Sequence, residues 1–147
     1  MELENSVALV TGGNRGIGEA FVRAFLGAGA KKVYVGTRQR DAARHLVDEA
    51  PGRVVAVELD VTNHEQVARA ARDCPDVNVL VNNAGQFFRQ TLLTAPDLSY
   101  ARQEMEVNYF GPLAMCRAFA PVLARSPKSA IANVLSAGGI VAVRVMG

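Results

Sequence analysis

TGGNRGIG, Thr11 to Gly18, is the stretch on which the reading of the fold turns. It follows VALV (Val7–Val10), a short and wholly apolar run, and it opens a segment of helical period. Apolar runs of this length that end at glycine suit strands buried on both faces. The glycines let the backbone turn tightly and approach a phosphate closely. A helix that starts directly afterwards offers unpaired N–H groups and a partial positive charge to an anion. The spacing of Gly12, Gly16 and Gly18 is G-x-x-x-G-x-G, and it departs from the G-x-G-x-x-G of the common dinucleotide fingerprint. The competing reading is a glycine turn that serves only strand–helix packing. The position between a buried strand and an amphipathic helix favours a nucleotide loop.

Outward from this loop the chain alternates. Ile17, Ala20, Phe21, Ala24, Phe25 and Ala28 fall on one helical stripe, with Glu19 and Arg23 opposite, and Gly27 and Gly29 end the helix. Lys32–Thr37 reads as a second strand, Arg40–Ala50 as a helix stopped by Pro51-Gly52, and Arg53–Asp60 as a third strand. Asn63 and Gln66 form a capping pair for a helix over His64–Asp73. Val77–Gly85 reads as a fourth strand, and a loop through Phe87-Phe88-Arg89 follows. A long helix runs from Asp97 to Arg125, kinked at Gly111-Pro112, before a fifth strand over Ala130–Ser136. Strand and helix in alternation predict an α/β fold, a doubly wound parallel sheet of at least five strands with helices on both faces. Without repeats, low-complexity tracts or linkers, residues 1–147 form one domain.

The composition excludes several classes. Hydrophobic residues make up 50% and charged residues 20%, as in ordinary globular proteins, and the net charge is +2. Scattered arginines without a basic block or interleaved aromatics argue against nucleic acid as a partner. Apolar runs are too short to span a bilayer, and the start MELENSVALV lacks the basic-then-apolar plan of a signal peptide. Cys74 and Cys116 have no metal-ligand spacing and read as small apolar residues in a reducing, cytoplasmic compartment. His45 and His64 are far apart, and no metal site is expected.

Five separated features make the chain resemble the short-chain dehydrogenase/reductase family. TGGNRGIG is similar to its T-G-x-x-x-G-x-G loop, Asp60 in LDVT to its adenine-binding Asp, and NNAG (Asn82–Gly85) to its motif after the fourth strand. Asn108 in EVNYFG and Ser136 after the fifth strand are similar to two members of its catalytic set. The resemblance covers essentially the whole chain. It implies a Rossmann-type fold and a nicotinamide cofactor held by Gly12, Asn14, Arg15, Gly16, Ile17, Gly18, Thr37, Arg38, Asp60, Val61, Asn82, Ala84 and Gly85. It also implies a carbonyl or alcohol substrate of small size, and a homo-oligomer, dimer or tetramer, in the full-length form.

The end of the second strand bears on which nicotinamide is bound. An acid about 20 residues after the glycine loop accepts hydrogen bonds from the ribose of NAD. Here the position holds Thr37 and Arg38, and Asp41 is expected to cap the following helix. An Arg attracts a 2′-phosphate that a carboxylate would repel. Arg15 adds a second cation, so NADP(H) is favoured over NAD(H), against the reading that both arginines are merely solvated.

The family's chemistry implies a Tyr acid/base, a Lys that lowers its pKa, a Ser that positions the carbonyl and an Asn in a proton-relay water network. Tyr34, Tyr100 and Tyr109 have Arg38, Glu104 and Leu113 four residues on, so the sequence contains no Y-x-x-x-K. The family places that pair just past Gly147, where it would complete a site that Ser136 begins. Without it, Ser136 also reads as a strand-end hydroxyl and Asn108 as a ligand of backbone groups near the kink. QFFRQ (Gln86–Gln90) reads either as packing or as the edge of a substrate pocket. Two functions stay open. One is an NADP(H)-dependent reductase or dehydrogenase of which this chain is the cofactor-binding, N-terminal part, inactive by itself. The other is a non-catalytic dinucleotide sensor or interaction module.

Overall fold

Successive residues of the first strand go to opposite faces of one sheet. In the computed structural model, which describes residues 2–89 and 94–136, strand β1 (Val7–Thr11) sends Val7 and Leu9 into one core and Ala8 and Val10 into the other. All five of its residues are buried, as a strand covered on both faces requires. Strands β2 (Lys32–Thr37), β3 (Val54–Glu58), β4 (Val79–Asn82) and β5 (Ala130–Asn133) complete a sheet in the order β3-β2-β1-β4-β5. Every pairing is parallel, with Val10 opposite both Val35 and Val81. This is the doubly wound α/β architecture expected from the alternation.

Helices α1 (Gly16–Gly27) and α2 (Arg44–Glu49) supply one core with Val22, Phe25 and Leu46. Helices α3 (His64–Asp73) and α5 (Gly111–Leu123) supply the other with Val67, Ala70, Met115 and Phe119. The face of α1 differs from the expected stripe. Gly18, Val22 and Phe25 are buried, whereas Ile17 is 65% exposed and Ala20 and Ala24 face outward. The cause is Gly18: a Cβ there would collide with Gly12 O and lie 2.5 Å from Asn83 Nδ2. The glycine turns the helix so that its bare face meets the end of β1.

Asp41 does not cap the next helix. A 3₁₀ turn over Arg40–Ala43 precedes α2, and its N-cap is Gln39, whose backbone is extended. Asp41 already lies within the turn, where helical backbone removes the capping geometry. Asn63 does cap α3, accepting from Glu65 N and Gln66 N at 3.1 Å each. The expected long helix is three pieces: α4 (Ser99–Met105), a π turn over Glu106–Phe110, and α5. The π turn ends where Gly111 passes close to Val61, whose Cγ2 would stand 2.7 Å from a Cβ at 111.

Strand β2 has the expected bounds and β1 gains Thr11, but β3, β4 and β5 are shorter than the sequence suggested, so Asp60, Gly85 and Ser136 all sit in loops beyond strand C-termini. Gln90 and the stretch after Ser136 lie outside the described residues. Among the described residues no helix is long and apolar enough to cross a membrane.

Candidate functional site

The chain winds from β1 to β3 in one direction, then crosses back over β1 to β4 and β5. Loops after β1 and β4 therefore leave in opposite directions and open a crevice at the C-terminal ends of the strands. Thr11 sits at the bottom of that crevice. Its Oγ1 accepts the N–H groups of Asn83 and Ala84 at 3.0 and 2.9 Å and donates to Val81 O at 3.4 Å. Asn83 answers with Nδ2 donated to Thr11 O at 2.9 Å and Gly12 O at 3.2 Å. Gly12 has φ +62°, and a Cβ there would come within 3.1 Å of Ala84 Cα. These contacts set the two loops at one fixed separation.

The N-terminus of α1 faces the same crevice mouth. Its N-cap is Arg15, with extended backbone and no side-chain capping bond. Gly16 follows with φ +57°, and nothing lies within 4 Å of where its Cβ would be. Asn14 is half-buried, while Arg15, Gly16 and Ile17 are exposed. Helix α3 closes its first turn with Asn63, but among the described residues the first turn of α1 has no side-chain cap from Arg15, which suits an anion.

At the end of β2, Thr37 is buried and donates to Gln39 O at 3.2 Å, with the exposed Arg38 beside it. Neither Arg15 nor Arg38 belongs to an ion pair among the described residues. Beyond β3, the Asp60 carboxylate takes two bonds on Oδ1, from Thr62 N at 2.9 Å and Thr62 Oγ1 at 2.7 Å. Asp60 N donates to Gln66 Oε1 at 2.7 Å. Gln66 thus secures the loop before its helix instead of closing a capping box on Asn63.

Asn82 is buried at the end of β4. Its Nδ2 donates to Asn133 Oδ1 at 2.8 Å and Cys116 Sγ at 3.4 Å, while its Oδ1 has no partner among the described residues. Asn108, in the π turn, accepts Gln86 N on Oδ1 at 2.8 Å and donates Nδ2 to Gln86 O at 2.7 Å. Both ends of that amide are occupied by loop backbone. In a regular α-helix the Asn108 carbonyl would look to the N–H of residue 112, which is Pro112 and has none. Phe88 packs on Tyr100 with ring centroids 4.9 Å apart, and its N–H donates to Glu104, while Phe87 is 47% exposed. Ser136 is exposed beyond β5, next to Leu135.

The remaining titratable candidates stand apart. His45 pairs with Glu19 at 3.4 Å, between α2 and α1. Burial, reinforced by the Asp76 and Asp73 carboxylates, pushes the Cys74 thiol up to about 12, which leaves it inert as a nucleophile. Among the described residues no three His, Cys, Asp or Glu side chains converge as a metal site. Sequence reasoning passed over Thr11, Asn83 and Thr62 as builders of the site, and took Gln66 only for a helix cap and Gln86 only for packing or a pocket edge. Thr11 and Asn83 lay inside the quoted motifs, but the bonds that define them join residues 72 apart.

The family profile described as short chain dehydrogenase matches residues 6–147. The chain belongs to the short chain dehydrogenase family. It is similar to a short chain dehydrogenase of Burkholderia cenocepacia J2315, solved in complex with NADP, at 50% identity and a TM-score of 0.90 over 99% of this chain and 60% of that one. A short-chain dehydrogenase of Streptomyces avermitilis aligns at 32% identity and a TM-score of 0.87, over 97% of this chain and 52% of its own. Among curated relatives, the short chain dehydrogenase tazN of Aspergillus terreus is 35% identical over 94% of this chain and 33% of its own length. Dehydrogenase/reductase SDR family member 7B of Bos taurus is 32% identical over 93% of this chain and 46% of its own. The chain therefore spans a third to a half of these curated short chain dehydrogenases.

Proposed function

We propose that residues 1–147 are the cofactor-binding domain of an NADP(H)-dependent reductase or dehydrogenase that interconverts a carbonyl and an alcohol. The observation that carries the reading is two exposed cations outside any ion pair among the described residues: Arg38, at a β2 end that lacks a carboxylate, and Arg15, at the start of α1. The likeness to the NADP complex from Burkholderia cenocepacia supports it. The uncapped first turn of α1, with Gly12, Asn14, Gly16, Ile17 and Gly18 around it, holds the pyrophosphate. Thr37, Arg38 and Arg15 hold the 2′-phosphate, Asp60 and Val61 the adenine, and Asn82, Ala84 and Gly85 line the strand ends beside it.

A bound nicotinamide dinucleotide supplies the hydride. Ser136 donates to the substrate oxygen and fixes its position. The Asn108 carbonyl, to which Pro112 offers no N–H, holds a water of the proton relay. The Tyr-x-x-x-Lys pair of the family's catalytic set has no counterpart within residues 1–147. The exposed row Met105, Tyr109 and Leu113 along α4, the π turn and α5 supports a homo-oligomer. Free thiols at Cys74 and Cys116 support a cytoplasmic setting.

The test is a fluorescence titration of the complete polypeptide with NADPH and with NADH. NADPH is expected to bind at least about ten-fold tighter, the range of one charge-assisted contact. Equal affinities would reject the assignment of NADP(H), and no binding of either would reject the domain's role.

A further inference from the structure

An acceptor that must read a donor on a ligand needs its own direction fixed beforehand. Asp60 has that fixing built into the loop after β3. Both bonds from Thr62, the backbone N–H at 2.9 Å and the hydroxyl at 2.7 Å, fall on the same oxygen, Oδ1. Among the described residues Oδ2 takes no bond. The backbone beneath is held as well, because Asp60 N is tied to Gln66 Oε1 at 2.7 Å and Asp60 O accepts Asn63 N at 3.0 Å. Gln66 is in turn anchored within the first turn of α3 by Asn63. The carboxylate is thus oriented from one side only. One oxygen is spent on the protein, and the other is left as a pure acceptor at the strand C-terminal ends.

We propose that Thr62 is a positioning residue for base recognition: its hydroxyl locks Asp60 so that Oδ2 selects a purine carrying an amino donor at C6 over one carrying a carbonyl there. The inference rests on the proposed adenine contact of Asp60. An adenine N–H meets a lone pair at Oδ2, whereas the C6 oxygen of hypoxanthine meets it as a second acceptor and is repelled. Without the Thr62 hydroxyl, the carboxylate keeps only the backbone bond and rotates about its terminal torsion, where the rotamer well is broad. Selectivity then falls even though Asp60 is still present.

The experiment measures dissociation constants, by fluorescence quenching on the complete polypeptide, for NADPH and for its analogue with hypoxanthine in place of adenine. Four proteins are compared: the natural one, Thr62→Val, Thr62→Ser and Asp60→Ala. Thr62→Val keeps the branched shape and removes the hydroxyl, while Thr62→Ser retains it. The natural protein and Thr62→Ser are expected to prefer the adenine form, and Thr62→Val to lose about three- to ten-fold of that preference, the range of one hydrogen bond. A Thr62→Val preference equal to the natural one overturns the role of Thr62 while leaving Asp60 in place. A preference that survives in Asp60→Ala overturns the adenine contact itself, and with it the proposal. Melting curves of all four accompany the titrations: a loss of folding lowers affinity for both ligands together and leaves their ratio unmoved.

Discussion

Asn108 clasps Gln86 with both ends of its side-chain amide, accepting its N–H at 2.8 Å and donating to its carbonyl at 2.7 Å. The clasp joins the π turn to the loop that follows NNAG, across 22 residues of sequence. It is specific to an amide. An Asp at 108 would retain the acceptor but face the Gln86 carbonyl with a second one, and an Ala would remove both bonds. Asn108→Ala is expected to destabilise the protein by about 1 kcal/mol, since the group is exposed and water replaces part of what is lost. Hydrogen exchange at Gln86 N–H locates the effect. An unchanged exchange rate at that amide would mean the clasp does not hold the loop in solution.

Two glycines of α1 should respond in opposite directions to alanine. A Cβ at Gly18 runs into Gly12 O and Asn83 Nδ2, both of them parts of the stitch between the β1 and β4 loops. Gly18→Ala is expected to cost about 1–3 kcal/mol, the range for overpacking against backbone. Gly27, at the other end of the helix, has nothing within 4 Å of its Cβ position and no positive φ. Gly27→Ala is expected to stabilise by about 0.4–1 kcal/mol through the unfolded chain's lost freedom. Denaturant unfolding of the two variants checks both signs, and a Gly18→Ala protein as stable as the natural one would refute the close approach.

At the opposite end of the sheet from the site, Asp76 accepts Lys32 Nζ at 2.7 Å and Tyr34 OH at 2.8 Å. Partial burial pushes the Asp76 carboxyl up, but the Lys32 and Tyr34 hydrogen bonds outweigh it, and the net shift is below the ordinary 3.8. Lys32 is raised above its ordinary 10.5, first by the bond to Asp76. A depressed carboxyl contributes stability above its unfolded pKa that is lost as the pH falls through the folded value. A raised ammonium contributes below its unfolded pKa and loses it as the pH rises through the folded value. The network should therefore hold from about pH 4 to about pH 10 and fail at both ends. Asp76→Asn is expected to lower stability by about 0.5–1 kcal/mol at pH 7, as for a half-exposed pair, and to flatten the decline below pH 4. Unfolding free energies measured from pH 3 to 7 decide it: a natural and a variant curve that stay parallel to pH 3 would exclude Asp76 as the titrating group.

The parallel, doubly covered sheet was legible because VALV and the VLV of the fourth strand are apolar runs that such a sheet buries, and Gly-containing turns mark their ends. The face of α1 was not. Ala20, Ala24 and Ala28 score as apolar yet fit either side of a helix, while the residue that fixed the rotation, Gly18, has no side chain for a hydropathy pattern to register. Asp41 looked like a cap because local spacing cannot show that a 3₁₀ turn begins one residue earlier. In the site, Gly12, Asp60 and Asn108 stood out through their motifs. Thr11 and Asn83 did not, because their importance lies in bonds between distant strand ends, which no periodicity encodes. The π turn before Gly111 was readable only as a kink: the contact that accompanies it, with Val61, comes from another loop.

Arg38 offers the sharpest probe of the proposed cofactor preference. It follows the buried Thr37, whose hydroxyl is tied to Gln39 O, so its backbone is anchored while its guanidinium reaches solvent without an ion-pair partner among the described residues. Arg38→Asp places a negative charge where a 2′-phosphate is proposed to lie. NADPH affinity is expected to fall about 10- to 100-fold, the loss of a charge-assisted bond together with repulsion. NADH affinity should hold or rise, since a carboxylate there accepts from the ribose hydroxyls. Arg38→Lys separates charge from geometry: it keeps the attraction but gives up the planar fork, and it should fall between the natural protein and the Asp variant. The site is exposed, so raising the salt from 0.05 to 0.5 M is expected to shrink the difference between natural and variant proteins for NADPH, whereas NADH should barely respond. A ratio of NADPH to NADH affinity that is the same in Arg38→Asp as in the natural protein would remove Arg38 from the cofactor site and leave Arg15 as the cation to test.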